Sequence, residues 1–339
     1  MSPEIGELEA DADRLCEVVE QHFDGLIADT AETERRFDDV TFRAFRRDRN
    51  VIYRASRRFR WFLKLLRVDN LQAVARERLG AATIEATIGS RPEYGGSPVI
   101  RVSTNPAFVL SAAVEGRALD RALVRQALMP LSFTAPGLQE AFRTTGTLLA
   151  TLHASATLPD GAPPAEKHEF ASLAQGLRRV KQGDAVTKAI AVWYERHGQS
   201  DSGRFFVHGN MRPDNLVRVG NRIAFLDFEH CGSGPFYQDL GRPIAYLLQL
   251  TAVSPFARRR IREWVRAYLG AYGAVHAYDE RLLNAFVNAR LARHYLQTRS
   301  KSILQRRIAG IPVSRGTLAR LLTASLEDGI EGVAPGALA

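Results

Sequence analysis

The chain has 339 residues, 45% of them hydrophobic and 24% charged, the proportions of a globular protein that buries a substantial core. No window approaches roughly eighteen uninterrupted apolar residues, which argues against a membrane span, and the acidic start MSPEIGELEADADRL lacks the basic and apolar regions of a secretory signal. The net charge of +9, mostly arginine, favours anionic partners such as nucleotides, phosphates or acidic lipid without choosing among them.

Residues 6–28 place Leu8, Leu15, Val18, Val19, Phe23 and Leu26 at helical spacing among acids, which predicts one or two amphipathic helices. Cys16 here and Cys231 far downstream offer neither a disulfide framework nor a metal-ligand spacing, so they read as reduced thiols of a cytoplasmic protein. From Val40 the chain turns β-rich: Val40–Phe45, Val51–Ala55 and Arg60–Leu66 predict a three-strand meander, divided by charged turns. Asn70–Ile88 then has a helical pattern, with Leu71, Val74, Leu79, Ala82 and Ile84 among charges. Val99–Val102 and Phe108–Ala113 follow as two further strands.

Leu138–Ala154 is an amphipathic helix with Leu138, Phe142, Thr145, Leu148, Leu149 and Leu152 on one stripe. A compact β segment occupies 204–228, and Ile244–Leu250, Pro255–Gly270, Glu280–Ser300 and Gly316–Leu326 have helical patterns. These elements predict an α+β protein with a small sheet lobe and a large helical lobe. Its divisions are 1–36, a helical extension, 37–114, the β-rich lobe, and 115–339, the helical lobe.

The chemistry concentrates in Phe205-Phe-Val-His208-Gly-Asn210-Met-Arg212-Pro-Asp214-Asn215, followed by two alternating strands and Asp227-Phe-Glu229. The strands Leu216–Val219 and Arg222–Leu226 flank Gly220-Asn221, a two-residue hairpin turn. The hairpin returns the chain to its start and sets Asp227 beside Asn215. An amide oxygen and a carboxylate converging on one point are hard ligands suited to Mg²⁺.

This string resembles the catalytic and metal-binding loops of protein kinase-like phosphotransferases, and above all the aminoglycoside phosphotransferase/choline kinase family. His208-Gly209-Asn210 stands where that family has His-Gly-Asp. Asp227-Phe228-Glu229 matches its Asp-Phe/Trp-Glu, and Gly234-Pro235 through Asp239-Leu240 matches its downstream Gly-x-Pro-x-x-x-Asp-Leu.

The resemblance implies a two-lobed kinase fold, a nucleotide (ATP or GTP) as donor, Mg²⁺ on Asn215 and Asp227, and a hydroxyl acceptor. It sets Lys64 on the α- and β-phosphates, with Glu77 as its ion-pair partner and Glu85 as the second choice. Val109–Gly116 resembles the hinge, where backbone at Leu110 and Ala112 would hold the base. His208 and Asp239 brace the loop, and Arg212 stands where it could contact the transferring phosphate. The turn between the first two meander strands contains no glycine. Arg46, Arg47 and Arg49 there either grip phosphate or are plain solvated turn residues.

Asn210 is the departure that matters. The family aspartate takes the acceptor's proton, whereas an amide accepts a hydrogen bond and cannot take a proton. Loss of a general base costs about 10²–10⁴ in rate. Phosphoryl transfer depends mainly on positioning and charge neutralisation, so a slowed enzyme is expected rather than a dead one. The alternative is a pseudokinase that binds nucleotide as a scaffold or regulator.

Between Pro255 and Arg320 the acids are few (Glu263, Asp279, Glu280), while Arg258, Arg259, Arg260, Arg262, Arg266, Arg290, Arg293 and Lys301 are among many bases. Family members that take cationic antibiotics line the acceptor site with carboxylates, so this balance disfavours a polycationic acceptor. It points to a neutral or anionic hydroxyl compound such as a sugar or glycan. In Pro255–Gly270 the stripe Phe256, Ile261, Trp264, Val265, Tyr268 and Leu269 faces the core. The opposite arginine face is either solvated or docks on an acidic surface. A nucleic-acid binder would need interleaved aromatic platforms, and none are present.

Overall fold

The computed structural model describes residues 3–27, 34–47, 51–56, 60–66, 71–96, 99–128, 137–165, 168–180, 183–198, 203–298, 301, 307–308, 311–335 and 337–338. A six-stranded antiparallel sheet forms the small lobe. Its strands are β1 (Glu34–Phe37), β2 (Val40–Arg47), β3 (Val51–Ser56), β4 (Arg60–Leu65), β5 (Val99–Thr104) and β6 (Ala107–Ala112), in the spatial order β1-β2-β3-β4-β6-β5. Alternation divides its side chains between two faces. Phe42, Tyr53, Trp61, Leu63, Leu65, Phe108 and Leu110 form one apolar layer, and Ala107 and Val109 join Leu66, Ala73 and Val74 in another.

The first layer is covered by helix α1 (Pro3–Ile27), through Leu15, Val18, Val19 and Leu26. Two buried hydrogen bonds tie it down: Trp61 Nε1 donates to Asp11 at 2.7 Å, and Tyr53 OH donates to the Leu26 carbonyl at 2.7 Å. The N-terminal helix is therefore a wall of the sheet's core, and the sheet begins at Glu34, inside the segment expected to be a helical extension. The second layer is covered by α2 (Leu71–Ile88), whose buried face is Ala73, Val74, Arg76, Glu77, Gly80, Ile84 and Ile88. Leu71 and Ala82, expected on that face, are exposed.

After β6 the chain leaves the sheet, forms the short β7 (Arg117–Ala118) and enters α3 (Leu119–Leu128) and α4 (Leu138–Ser155). The predicted stripe of α4 is buried, and so are Ala141, Gly146, Ala150 and His153, with α2 and α3 among the elements packed on it. The large lobe continues with α5 (Glu169–Arg178), α6 (Ala185–His197), α7 (Tyr237–Val253), α8 (Arg258–Gly273), which packs along α4, α9 (Glu280–Thr298) and α10 (Arg315–Val333). The small strands β8 (Phe205–Val207) and β11 (Gly232–Gly234) pair with each other, and β9 (Leu216–Val219) pairs with β10 (Arg222–Phe225) and with β7.

Two boundaries moved. α7 starts seven residues before the expected Ile244, running through Pro243, and the added turns carry Asp239 and Arg242. α8 starts at Arg258, so Phe256, expected in the core stripe, falls in the preceding 3-10 turn and is 82% exposed. No described helix is long and apolar enough to cross a membrane.

α4 and α8 approach closely at Gly146, where an added Cβ would run into the Tyr268 carbonyl oxygen on the facing helix. A backbone obstacle cannot rotate away, so Gly146→Ala must separate the helices. It is expected to lower unfolding stability by about 1–3 kcal/mol, measured by chemical denaturation, and an unchanged midpoint would refute this packing.

Candidate active site

Lys64 projects from β4, and its ammonium meets three carboxylates: Glu77 at 2.9 Å, Asp227 at 2.9 Å and Glu229 at 2.7 Å. Glu77 comes from α2, and the other two come from the segment after β10. The second Glu77 oxygen accepts the Phe228 N–H at 3.1 Å. Glu85, the second choice for this pairing, is exposed on another face of α2. Burial opposes the Lys64 charge, but the three carboxylates outweigh it and raise its pKa well above the usual lysine value. For Asp227 and Glu229 burial likewise opposes the charge. Lys64 offsets it at Asp227, and His230 and Lys64 offset it at Glu229, so both carboxyls titrate below their ordinary range.

Asp227 has φ +67°, a left-handed conformation that costs a non-glycine residue on the order of 1–3 kcal/mol. Its neighbours hold it there. Lys64 takes one carboxylate oxygen, and the Asn210 side-chain amide donates to the other at 3.0 Å. The β9–β10 hairpin closes as its sequence predicts, with the Leu226 N–H on the Asn215 carbonyl at 2.9 Å, which brings Asn215 beside Asp227. The Asn215 side-chain nitrogen donates to the Asn210 carbonyl at 2.9 Å, and no described hydrogen bond uses its amide oxygen.

The loop is braced from beneath. Asp239 is fully buried and accepts the backbone N–H groups of His208 at 2.6 Å and Gly209 at 2.9 Å. His208 Nε2 donates to the Leu226 carbonyl at 3.0 Å, and its Nδ1 accepts the Asn210 N–H at 3.3 Å. That pairing defines a neutral ring protonated on Nε2, consistent with burial lowering its pKa. Gly209 has φ +74°, and a Cβ there would strike the His230 carbonyl, so the middle residue of His-Gly-Asn must be glycine. Arg242 donates to the Gly209 carbonyl and to Glu169 at 2.7 Å.

The other expected site residues lie as follows. Arg212, half-exposed, pairs with Asp214 at 2.8 Å. Leu110 lies inside β6, its backbone opposite Leu63 and its side chain in the core layer against α1. Ala112 closes that strand opposite Trp61, and the chain free of the ladder is 113–116. Arg49 lies outside the described residues, as do the side chains of Arg46 and Arg47. Sequence reasoning missed His230, which is buried with Nε2 3.1 Å from Glu229. It also missed Glu169, a buried acid at the start of α5 that faces Arg242, Arg290 and Arg293. Its signal was an acid just ahead of the apolar Phe170.

Ligand atoms of Asp227, Glu229 and His230 lie within 4.8 Å of one another. Three carboxylates share one lysine, so the site keeps an excess of negative charge that a hard divalent cation would neutralise. The donors present fit such an ion.

A sheet lobe with its lysine clamped to a helix glutamate, set against a helical lobe with a braced loop and an acidic hairpin exit, defines a protein kinase-like fold. The model of the phosphotransferase enzyme family, known as APH, matches residues 106–281, just over half the chain, and the protein belongs to that family. Its structure is similar to an amicoumacin kinase solved with AMP-PNP, Ca²⁺ and amicoumacin (16% identity, 97% of this chain and 96% of that one, TM-score 0.56). It is also similar to the aminoglycoside phosphotransferase APH(3'')-Id of Streptomyces rimosus (16% identity, 83% and 98%, TM-score 0.53). A third similar structure is a glucosamine kinase with glucosamine, ADP and phosphate (16% identity, 91% and 84%, TM-score 0.54). No curated protein matches the chain by sequence.

Burial also lowers the pKa of His168, His276 and His294, the last pushed down to about 4 with added repulsion from Arg290, Lys301 and Arg212. In the unfolded chain these rings titrate near about 6.5, so below that pH the unfolded state takes up protons that the folded state refuses. Their stabilising contribution is complete above about 6.5 and is lost as pH falls toward the folded values. Unfolding stability should therefore drop between about pH 7 and pH 5, with His294→Gln removing about 1–2 kcal/mol of that drop. Denaturation midpoints that stay level over this window would refute it.

Proposed function

We propose that the protein is a small-molecule O-phosphotransferase that passes the γ-phosphate of ATP or GTP to a hydroxyl of a neutral or anionic acceptor. The observation that carries this reading is the meeting of Lys64 with Glu77, Asp227 and Glu229, next to a loop whose every backbone turn is braced. Lys64 would exchange one of its three carboxylates for the α- and β-phosphates, while Glu77 keeps the ammonium aimed. Chain 113–116, unpaired after β6, would offer its backbone to the base. Asp227, Glu229 and the Asn215 amide oxygen would hold Mg²⁺, which neutralises phosphate charge when bound.

Asn210 has a divided role. Its amide N–H steadies Asp227, and its carbonyl oxygen would accept and aim the acceptor hydroxyl. It cannot take the proton. Transfer through a loose transition state gives the hydroxyl up late, so orientation by Asn210 and charge stabilisation by Arg212 would sustain a slow reaction. The same amide contact favours a second reading. A donor on Asp227 where the family has a carboxylate suits a nucleotide-binding protein that does not turn over.

Asn210→Asp separates the two readings. It would set a second carboxylate against Asp227, which a divalent cation must then shield. Under the phosphotransferase reading, nucleotide consumption with an accepted hydroxyl compound should rise by about 10²–10⁴. Asp227→Ala should abolish it. If neither wild type nor Asn210→Asp consumes nucleotide with any of a sugar and polyol panel, while both bind it with Mg²⁺, the pseudokinase reading stands. A wild type that binds no nucleotide sinks both.

A further inference from the structure

Three guanidiniums converge on the single buried carboxylate of Glu169. Arg242 takes one oxygen at 2.7 Å and also reaches the Gly209 carbonyl, and Arg293 takes the other oxygen at 3.1 Å. Arg290 stands off at 3.6 Å from the oxygen that Arg242 already uses. Arg290, Arg293 and His294 are three and four residues apart on α9 and share a face. Among the described residues, Arg293 Nε and His294 Nε2 are buried with no hydrogen-bond partner.

From the loop, Arg212, paired with Asp214 at 2.8 Å, still lies near enough to repel Arg290. Burial chiefly, and then repulsion from Arg242, Arg293 and Arg212, holds the Arg290 pKa down to about 10 in spite of Glu169. Of the three guanidiniums, Arg290 is the one held farthest from the carboxylate they share. Three of the arginines of α8 are met elsewhere. Arg259 pairs with Glu263 at 3.2 Å, Arg260 donates to the Gln126 carbonyl at 3.3 Å, and Arg262 donates to the Pro335 carbonyl at 3.1 Å.

Place matters as much as charge. Arg242 ties the cluster to the carbonyl of Gly209, next to Asn210, and Arg212, two residues past Asn210, is near enough to Arg290 to repel its charge. A molecule that presents a hydroxyl to Asn210 would then have Arg212 and the α9 arginines within its reach. We infer that the acceptor carries an oxyanion group, phosphate or carboxylate, beside its reacting hydroxyl, and that Arg290, with Arg212 and Arg293, holds that group. The inference rests on the phosphotransferase reading and narrows its acceptor to anionic compounds.

The test uses the full chain saturated with AMP-PNP and Mg²⁺, so that the nucleotide site is closed to the probes. Inorganic phosphate, glucose 6-phosphate and gluconate are titrated against glucose by calorimetry. An anionic probe is expected to bind and glucose is not, and the tighter of glucose 6-phosphate and gluconate identifies the group. Arg290→Gln should weaken that binding by about tenfold or more, the loss of one charge-assisted contact, with AMP-PNP affinity intact. Arg259→Gln, on the exposed face of α8, should change nothing. Should Arg290→Gln disturb folding, Arg212→Gln must show the same loss. Equal binding of glucose, no binding of any anionic probe, or an unchanged affinity in the folded arginine variants would overturn the inference while leaving the nucleotide site standing. A wild type that does not bind AMP-PNP overturns the phosphotransferase reading, and this one with it.

Discussion

One ammonium group shared among three carboxylates joins the parts of this molecule. Lys64 belongs to the sheet, Glu77 to the helix behind it, and Asp227 and Glu229 to the hairpin exit of the helical lobe. Withdrawing four charged groups from water is expensive, and attraction repays it only where geometry is good and the remaining lone pairs are used. Here the second oxygen of Glu77 holds the Phe228 N–H, that of Asp227 holds the Asn210 amide, and that of Glu229 faces His230. The close packing follows. Gly80 lets α2 lie directly on Phe228 and Cys231, where a Cβ would come within 2.6 Å and 2.7 Å of them. The ion cluster and the glycine contact each depend on the other's register.

A second network, built on the same logic, lies beneath the loop. Asp239 holds two successive N–H groups, His208 spans from Leu226 to Asn210, and Arg242 links the Gly209 carbonyl to Glu169. Asp239, His208, Arg242 and Glu169 are all buried, so the loop geometry is set before any ligand arrives. A site that works by positioning requires this kind of support. The left-handed residues Gly209 and Asp227 are the points where the backbone departs from ordinary conformations, and both networks meet there.

Local patterns were legible in the sequence. The hairpin with its Gly220-Asn221 turn, the α4 stripe and the three-strand meander all follow from spacing over a few residues. Glu77 was named through the family resemblance, and it stands on the buried face of α2 against Lys64. What escaped depended on distant partners. α1 reads as a free amphipathic helix because its mate is a sheet surface formed later in the chain. Pro243 reads as a helix boundary, yet α7 accommodates it, because the turns before it are pinned through Asp239 and Arg242. Phe256 reads as core by period alone, and it misses because the helix begins two residues later. Leu110 lies in the strand that the residue pattern predicts, and pairing on both sides keeps it there rather than in the hinge that the resemblance implied.

The arginines carry this contrast to its end. In sequence those of α8 and α9 form one undivided basic population. Folding sorts them by whether a carboxylate or carbonyl comes to meet them. Arg259, Arg260 and Arg262 of α8 find partners in a helix neighbour, α3 and the C-terminal tail. Arg290 and Arg293 of α9 crowd round Glu169 together with Arg242 of α7, three cations on one carboxylate. Asn210 lowers the negative charge at the loop, and Arg212 and Arg290 raise the positive charge beside it. Both changes act in the same direction on the potential an incoming acceptor meets. Under the proposed reading an aspartate at position 210 would supply the base and also add repulsion toward an anionic acceptor, so its gain would fall on turnover and its cost on binding. On that reading, the substitution that removes the general base and the arginines round Glu169 would be two parts of one electrostatic arrangement.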